Sequence, residues 1–467
     1  MQFFIIINFI NLILIAYMVF AEHKKPHRVA IWILVFTFLP IVGFLVYFLF
    51  GIGLKFRAKR ILKSEQKMNL LTKKNLHYNL KKVNKQNLYY KDIINFNILN
   101  NFSPLLQCEN LRIFTLGTDF VEDLKTEISK ATKTIYIFSY IFASDIVGNE
   151  LLSLLQVKLS EGVKVILMYD SFGSRKTDKK VFESLKQKGA FILEFFPPIL
   201  KIFHSKINYR NHKKIFIIDD NICYMGGMNI RDDHMGRDKN LSPWKDTQIR
   251  FSGTAVLRVL EIYFKDLNLA TKEDLKIERV NTKMSGNIDI QLLSTTPTDK
   301  TPKIEDALIL AISKAKERIM IETPYLILDE KIFTALVQAS LKGVAVKIIM
   351  PKLSDGFLVH NASFYYAKQL IENNIEVYFY NGFLHSKTVL IDRDFLSVGS
   401  SNLDMRSFNL NFEITAFIYN YMINRKYFDK LSETLKNSDK ITQNYFEKMN
   451  NFRKLAISFS KLFSPVL

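Results

Sequence analysis

Cysteine is nearly absent from this chain of 467 residues: Cys108 and Cys223 are the whole supply. Neither has a metal-ligand neighbour, so a disulfide framework and a cysteine-built metal centre are excluded, and both read as buried thiols. Clustered carboxylates are missing too, which leaves no motif for a metal and none for a cofactor. Acidic residues are short relative to basic ones, 45 against 65, giving a formal charge of +20. Such an excess points to a polyanionic partner, either nucleic acid or an anionic membrane.

Long apolar runs are what the N-terminus has. Phe3 to Ala21 is apolar apart from Asn8 and Asn11, and Val29 to Gly53 carries no charge. Each approaches or exceeds the roughly 20 residues that cross a bilayer as helix. The first run lacks a basic leader and a second follows at once, which argues for a transmembrane hairpin over a cleaved signal. Residues 1–54 therefore read as a hairpin with spans at about 3–21 and 29–53. Lys24, Lys25 and Arg28 sit in its turn, whereas Lys55, Arg57, Lys59, Arg60, Lys63 and Lys67 follow it. The larger cluster keeps the following domains in the cytoplasm. From Lys55 to Lys91 twelve Lys and Arg face one acid, Glu65. Residues 55–109 read as a basic membrane-proximal linker, its bases suited to anionic headgroups. That placement turns the charge excess away from nucleic acid.

An internal repeat organises the remainder. Ser129-Lys130-Ala131 before Ile135-Tyr136-Ile137-Phe138 returns as Ser313-Lys314-Ala315 before Ile319-Met320-Ile321. Gly162-Val163 before Val165 to Met168 returns as Gly343-Val344 before Val346 to Met350. Helix-period stretches at 120–131, 149–159, 303–315, 331–341 and 364–372 alternate with these short apolar runs, the pattern of α/β layers. Two domains result, 110–270 and 288–467, with a polar junction at 271–287.

Each domain carries one copy of a longer motif. His212-x-Lys214 leads into Ile215-Phe216-Ile217-Ile218 and Asp219, then Gly226-Gly227-Met228-Asn229. His385-x-Lys387 leads into an apolar run and Asp392, then Gly399-Ser400-Ser401-Asn402, 173 residues further on. Alternate residues of a strand share a face, so each pair displays imidazole and ammonium together, a site for phosphate. His204-Ser205-Lys206 repeats the letters without the strand or the acid and reads as loop. The paired motifs resemble those of the phospholipase D superfamily. The flanks, Asn208-Tyr209-Arg210-Asn211 and Gly382-Phe383-Leu384, and the continuation Leu403-Asp404-Met405-Arg406-Ser407-Phe408 with Leu410-Asn411-Phe412-Glu413, resemble its bacterial cardiolipin synthase branch. Asp266-Leu267 departs from the Asp-Trp that branch members often carry, which bears on local packing. The tail from Phe452 to Leu467 resembles the branch as well, and its apolar character implies docking.

The resemblance implies two α-β-α domains about a pseudo-twofold axis, with both motifs in one cleft of a multi-pass bacterial cell-membrane enzyme. It implies phosphatidyl transfer between two phosphatidylglycerol molecules, giving cardiolipin and glycerol. Two His and two Lys supply what metal-free phosphodiester transfer needs. One imidazole attacks phosphorus, the other protonates the leaving oxygen, and Lys214 and Lys387 balance charge, with Asn229 and Asn402 as neutral phosphate-binding donors. By motif membership Asp219 and Asp392 join the catalytic set, yet seven residues of strand would carry them some 20 Å from the histidines. They read as braces, and Asp246 and Glu413 as the groups orienting the imidazoles. The motifs do not encode the acceptor alcohol or the oligomeric state. A phospholipase D using water, a transferase using serine, and a membrane-tethered nuclease remain the alternatives.

Overall fold

The computed structural model describes residues 2–21, 26–47, 89–197, 209–273, 275, 286–354 and 356–464. Most of the basic linker, the hairpin turn at 22–25, His204 and most of the 271–287 junction lie outside the described residues. Among the described residues no helix is long and apolar enough to cross a membrane. The N-terminus forms helices Gln2–Ala21, Pro26–Phe38 and Pro40–Val46. The run expected to be one span from 29 to 53 is interrupted at Leu39 because Pro40 has no N–H to continue the helical ladder. Asn11, a polar exception in the first run, donates its amide to the Pro40 carbonyl at 3.0 Å.

The helix- and strand-period stretches form the elements they predict. Helices Gly117–Lys130, Ile146–Ser160, Lys303–Lys314, Glu330–Leu341 and Phe357–Glu372 alternate with parallel strands Thr134–Ser139, Lys164–Asp170, Arg318–Glu322 and Ala345–Pro351. The two halves share a single sheet of fifteen strands. At its centre Leu106–Phe114 and Ile288–Thr295 pair antiparallel through Leu106↔Ile290, Gln107↔Asp289 and Cys108↔Ile288. Outward from this seam both halves run through the same series. The first passes Gln248–Ser252, Ile222–Gly226, Ile215–Ile218 and Thr134–Ser139; the second passes Glu413–Tyr419, Phe395–Gly399, Thr388–Ile391 and Arg318–Glu322. This is a pseudo-twofold arrangement with the axis at the seam. Both cysteines are buried.

The end of the expected linker is folded. Its charge run stops at Lys91, and Tyr90, Ile93, Ile94 and Ile98 bury themselves in the core of the second half. Helix Lys91–Asn101 is pinned there by Gln291, whose amide accepts from Asn97 at 3.0 Å and donates to the carbonyls of Ile94 and Ser103. The segment before the first half thus packs on the second.

Asp219 and Asp392, placed with the catalytic groups by motif membership, sit at the far ends of the motif strands. Each occupies the left-handed region, at φ 50°, which aspartate tolerates. Asp219 accepts from the backbone N–H groups of Thr132, Lys133 and Thr134; Asp392 accepts from Lys316, Glu317 and Arg318. Each therefore ties its motif strand to the start of the neighbouring parallel strand. Burial acts to raise the Asp219 carboxyl, but those donors outweigh it and hold the group below its ordinary value. The stabilisation is present above the usual carboxylate range and fades as pH falls through it. Asp219→Ala and Asp392→Ala should each cost about 2–3 kcal/mol of stability, read from denaturant midpoints.

Candidate active site

The two motif strands are buried throughout, and each enters the sheet from a segment that crosses to the other half. Just before His212 the chain bridges to Phe412: Phe412 N donates to Arg210 O at 2.8 Å, and His212 N donates to Phe412 O at 2.9 Å. Just before His385, Phe383–Leu384 pairs parallel with Trp244–Lys245, and His385 N donates to Lys245 O at 2.7 Å. The residue after Phe412 is Glu413 and the residue after Lys245 is Asp246. Each crossing thus delivers a carboxylate from one half to the histidine of the other.

His385 Nδ1 lies 2.6 Å from Asp246 Oδ2. His212 Nδ1 lies 3.2 Å from Glu413 Oε1 and 3.1 Å from the Ser400 carbonyl. In both rings the acceptors sit at Nδ1, so the proton belongs there and Nε2 keeps a lone pair. Lys214 donates to the His212 carbonyl at 2.6 Å and lies over the Tyr140 ring, which also packs edge-on to His212. Lys387 Nζ reaches the His385 carbonyl and stands 2.9 Å from His385 Nδ1.

The electrostatics follow from burial and crowded cations. Burial and the neighbouring lysines (Lys214 first for one ring, Lys387 for the other) lower both imidazoles, His385 the further. Burial and then the Lys387 charge push Lys214 well below its ordinary value. That coupling sets the two motif lysines near one another. Burial alone would raise Asp246 and Glu413. His385, Lys387 and His234 outweigh it for Asp246, and His212, Lys214 and Ser400 for Glu413, so both stay ionised.

The glycine turns make room for these carboxylates. A Cβ on Gly227 would stand 2.1 Å from Asp246 Oδ1. At the equivalent place in the other half Ser400 is accommodated, and its hydroxyl donates to Glu413 Oε2 at 2.5 Å. The two asparagines are drawn into their own loops. Asn229 accepts from Ile141 N at 3.1 Å and turns its amide toward His234 Nε2 at 3.2 Å, while the Asn402 amide bonds Asp404. Asp266 is buried and holds Asn211 at 2.8 Å and Lys213 at 2.7 Å; Leu267, where the chain departs from the branch pattern, fills the core beside it.

His234 is the functional neighbour that sequence reasoning missed. Nothing in its spacing separates it from the other histidines, since a short turn, Asp232–Met235, brings it back to the site. It packs on Trp244 with ring centres 4.3 Å apart and lies 5.2 Å from His385. Its Nδ1 is 3.6 Å from Asp246 Oδ2. His234, Asp246 and His385 bring three potential metal-ligand atoms within 4.8 Å of one another, the one such group among the described residues. The donors do not fit an ion. The 2.6 Å His385–Asp246 separation is a hydrogen bond, and the Lys387 ammonium occupies the adjoining space.

Two histidines with free Nε2 atoms, two lysines and reciprocal carboxylates on a pseudo-twofold sheet define a phospholipase D-type phosphodiester-transferring enzyme. Residues 124–248 and 308–435 match the family described as cardiolipin synthase, PLD-like domain, and residues 6–51 match the phospholipase D-nuclease N-terminal family. Cardiolipin synthase of Clostridium perfringens (strain SM101 / Type A) is 35% identical over 458 residues, 96% of this chain and 95% of that protein. Cardiolipin synthase of Listeria innocua serovar 6a is 33% identical over 480 residues, covering 99% and 98%. Phosphatidylserine synthase of Haemophilus influenzae Rd KW20 has the same fold, with a TM-score of 0.61 at 15% identity over 82% of this chain and 100% of that one. The chain belongs to the cardiolipin synthase family and is a phosphatidyltransferase of the phospholipase D type.

Gly227→Ala should push Asp246 away from His385. The expected result is a fall in turnover of about 100-fold or more together with a lowered melting temperature, since displacing a buried, paired carboxylate costs stability as well as rate.

Proposed function

We propose that this chain transfers a phosphatidyl group from one phosphatidylglycerol to another, giving cardiolipin and glycerol through a phosphohistidine. Cardiolipin synthase activity is the family's, and phospholipids are the substrates. The choice of phosphatidylglycerol as donor and acceptor follows the resemblance of the motifs and their flanks to the bacterial cardiolipin synthase branch, and the matching cardiolipin synthases support it. The observation that carries the chemistry is the pair of imidazoles, each with Nδ1 committed to a carboxylate and Nε2 left for phosphorus or a leaving oxygen.

His212 is the nucleophile in this reading and His385 the acid, then the base. His212 has the longer carboxylate contact and a lowered basicity, so its Nε2 is unprotonated at neutral pH. The shorter Asp246 contact gives His385 the better counter-charge for an imidazolium, and an arriving phosphodiester anion offsets the Lys387 charge that depresses it together with burial. Lys214 and Lys387 face the non-bridging oxygens, with the remaining amide hydrogens of Asn229 and Asn402 as neutral donors. A membrane hairpin at 3–21 and 29–53, with the catalytic halves on the cytoplasmic side, would hold the site beside its lipids. The flanking basic clusters and the match at residues 6–51 support that placement.

Purified enzyme given phosphatidylglycerol alone should release glycerol and form cardiolipin; phosphatidic acid as the product would establish hydrolysis instead. His212→Ala and His385→Ala should each abolish turnover, because groups acting as a unit fail together. With an activated phosphatidyl ester the His385→Ala protein should still trap an adduct on His212. An adduct on His385 in the His212→Ala protein would reverse the assignment. The acidic limb of kcat/KM should fall below pH 6.5, the ordinary imidazole value, because protonation silences a nucleophile whose basicity is lowered.

His234 enters as a positioning residue. Asn229 flanks both ring nitrogens of His234: its backbone N–H donates to Nδ1 at 3.4 Å and its side-chain amide faces Nε2 at 3.2 Å, while Nδ1 stands 3.6 Å from Asp246 Oδ2. Removing the ring takes a polar neighbour away from Asp246, whose charge then acts more fully on His385. In His234→Phe, kcat should drop about 10-fold and the basic limb of its pH profile should move up, while His234→Gln, which keeps a polar group, restores most of the rate. An unmoved profile would reduce His234 to packing.

A further inference from the structure

The last helix, Asn451–Lys461, is docked on one face and bare on another. Ile457 and Ser460, with Ser464 just beyond, are buried. Arg453 stacks on Phe364 and Lys461 donates to the Tyr365 hydroxyl at 2.6 Å, both on helix Phe357–Glu372. This much agrees with a tail that docks. The opposite face carries Phe452, Leu455, Phe459 and Leu462, exposed by 80, 66, 54 and 70%, with Phe463 beside them. At 100° per residue these five fall within an arc of about 100°. Such a stripe of large apolar groups is more than scattered surface leucine.

We propose that this face is an interfacial foot that enters the surface of an anionic bilayer. Its charge selects that occupant. Lys448 and Lys454 are exposed in this terminal stretch, Arg453 and Lys461 add positive charge from the docked side, and no acid follows Glu447 in the sequence. The undescribed linker residues 55–88 carry Glu65 as their single acid among many bases, so like charge disfavours them as the cover. A second copy would set two such basic ends together. An anionic lipid surface satisfies both requirements, since it accepts apolar side chains below the headgroups and bases at them. The inference does not depend on which alcohol accepts the phosphatidyl group.

Cys108 and Cys223 are buried, so Phe459→Cys in the full chain can carry an environment-sensitive nitrobenzoxadiazole label at this one place. The protein is reconstituted in phosphatidylcholine vesicles with and without phosphatidylserine, an anionic lipid that separates surface binding from substrate binding. A blue-shifted, brighter emission confined to the anionic vesicles and weakened by salt is the expected result. Water-like emission in both compositions overturns the proposal. So does a blue shift in detergent that grows with protein concentration, the mark of a second copy, or one independent of concentration, the mark of another segment of this chain. In a parallel assay, Phe452, Leu455, Phe459 and Leu462 all changed to Gln should slow turnover on anionic vesicles about 10-fold and leave turnover on detergent-dispersed lipid unchanged. Equal rates on vesicles also overturn it. Should the variant lose both activities through misfolding, the label alone decides.

Discussion

Each catalytic-motif histidine meets its carboxylate across the pseudo-twofold boundary, and the rest of the molecule is arranged to make that meeting possible. Backbone bonds between the 211 and 412 segments, and between the 383 and 244 segments, carry Glu413 to His212 and Asp246 to His385. Neither half holds a complete pair by itself. The shared sheet, zipped at Leu106–Phe114 and Ile288–Thr295, fixes the distance between halves well enough for a 2.6 Å contact. A buried network behind His385 shows the same dependence: Glu322 of the second half receives Tyr427 at 2.6 Å and pairs with Lys245 of the first.

The site is charged yet largely removed from water, a costly condition unless every charge has a partner. Asp246 and Glu413 remain ionised because hydrogen bonds and cations outweigh their burial. Lys214 is left unfavourably placed, depressed by burial and then by Lys387. A phosphate between the two ammonium groups would relieve that repulsion, which is why an anionic diester suits a cleft of this construction.

The halves repeat in backbone but not in side chain. Gly227 clears space for Asp246 where Ser400 bonds to Glu413. Five residues after the motif asparagines, the first half places His234 against the carboxylate and the second places Ser407 on an Asp404 cap. Two imidazoles in equivalent frames therefore sit in different surroundings, which is the physical basis for giving them different tasks.

The sequence by itself determined a good deal. The apolar periods marked the helices and parallel strands, the doubled His-x-Lys motif marked the two buried strands, and the seven-residue spacing excluded Asp219 and Asp392 from the histidines. These are local properties, set within a few residues of chain. Only the tertiary structure decided the partners: that helix Lys91–Asn101 belongs to the second core, that one sheet spans both halves, that Asp246 and His385 touch across 139 residues, and that His234 joins them. Contacts between distant segments depend on how the sheet closes at its seam, and no periodicity in a single stretch encodes that register.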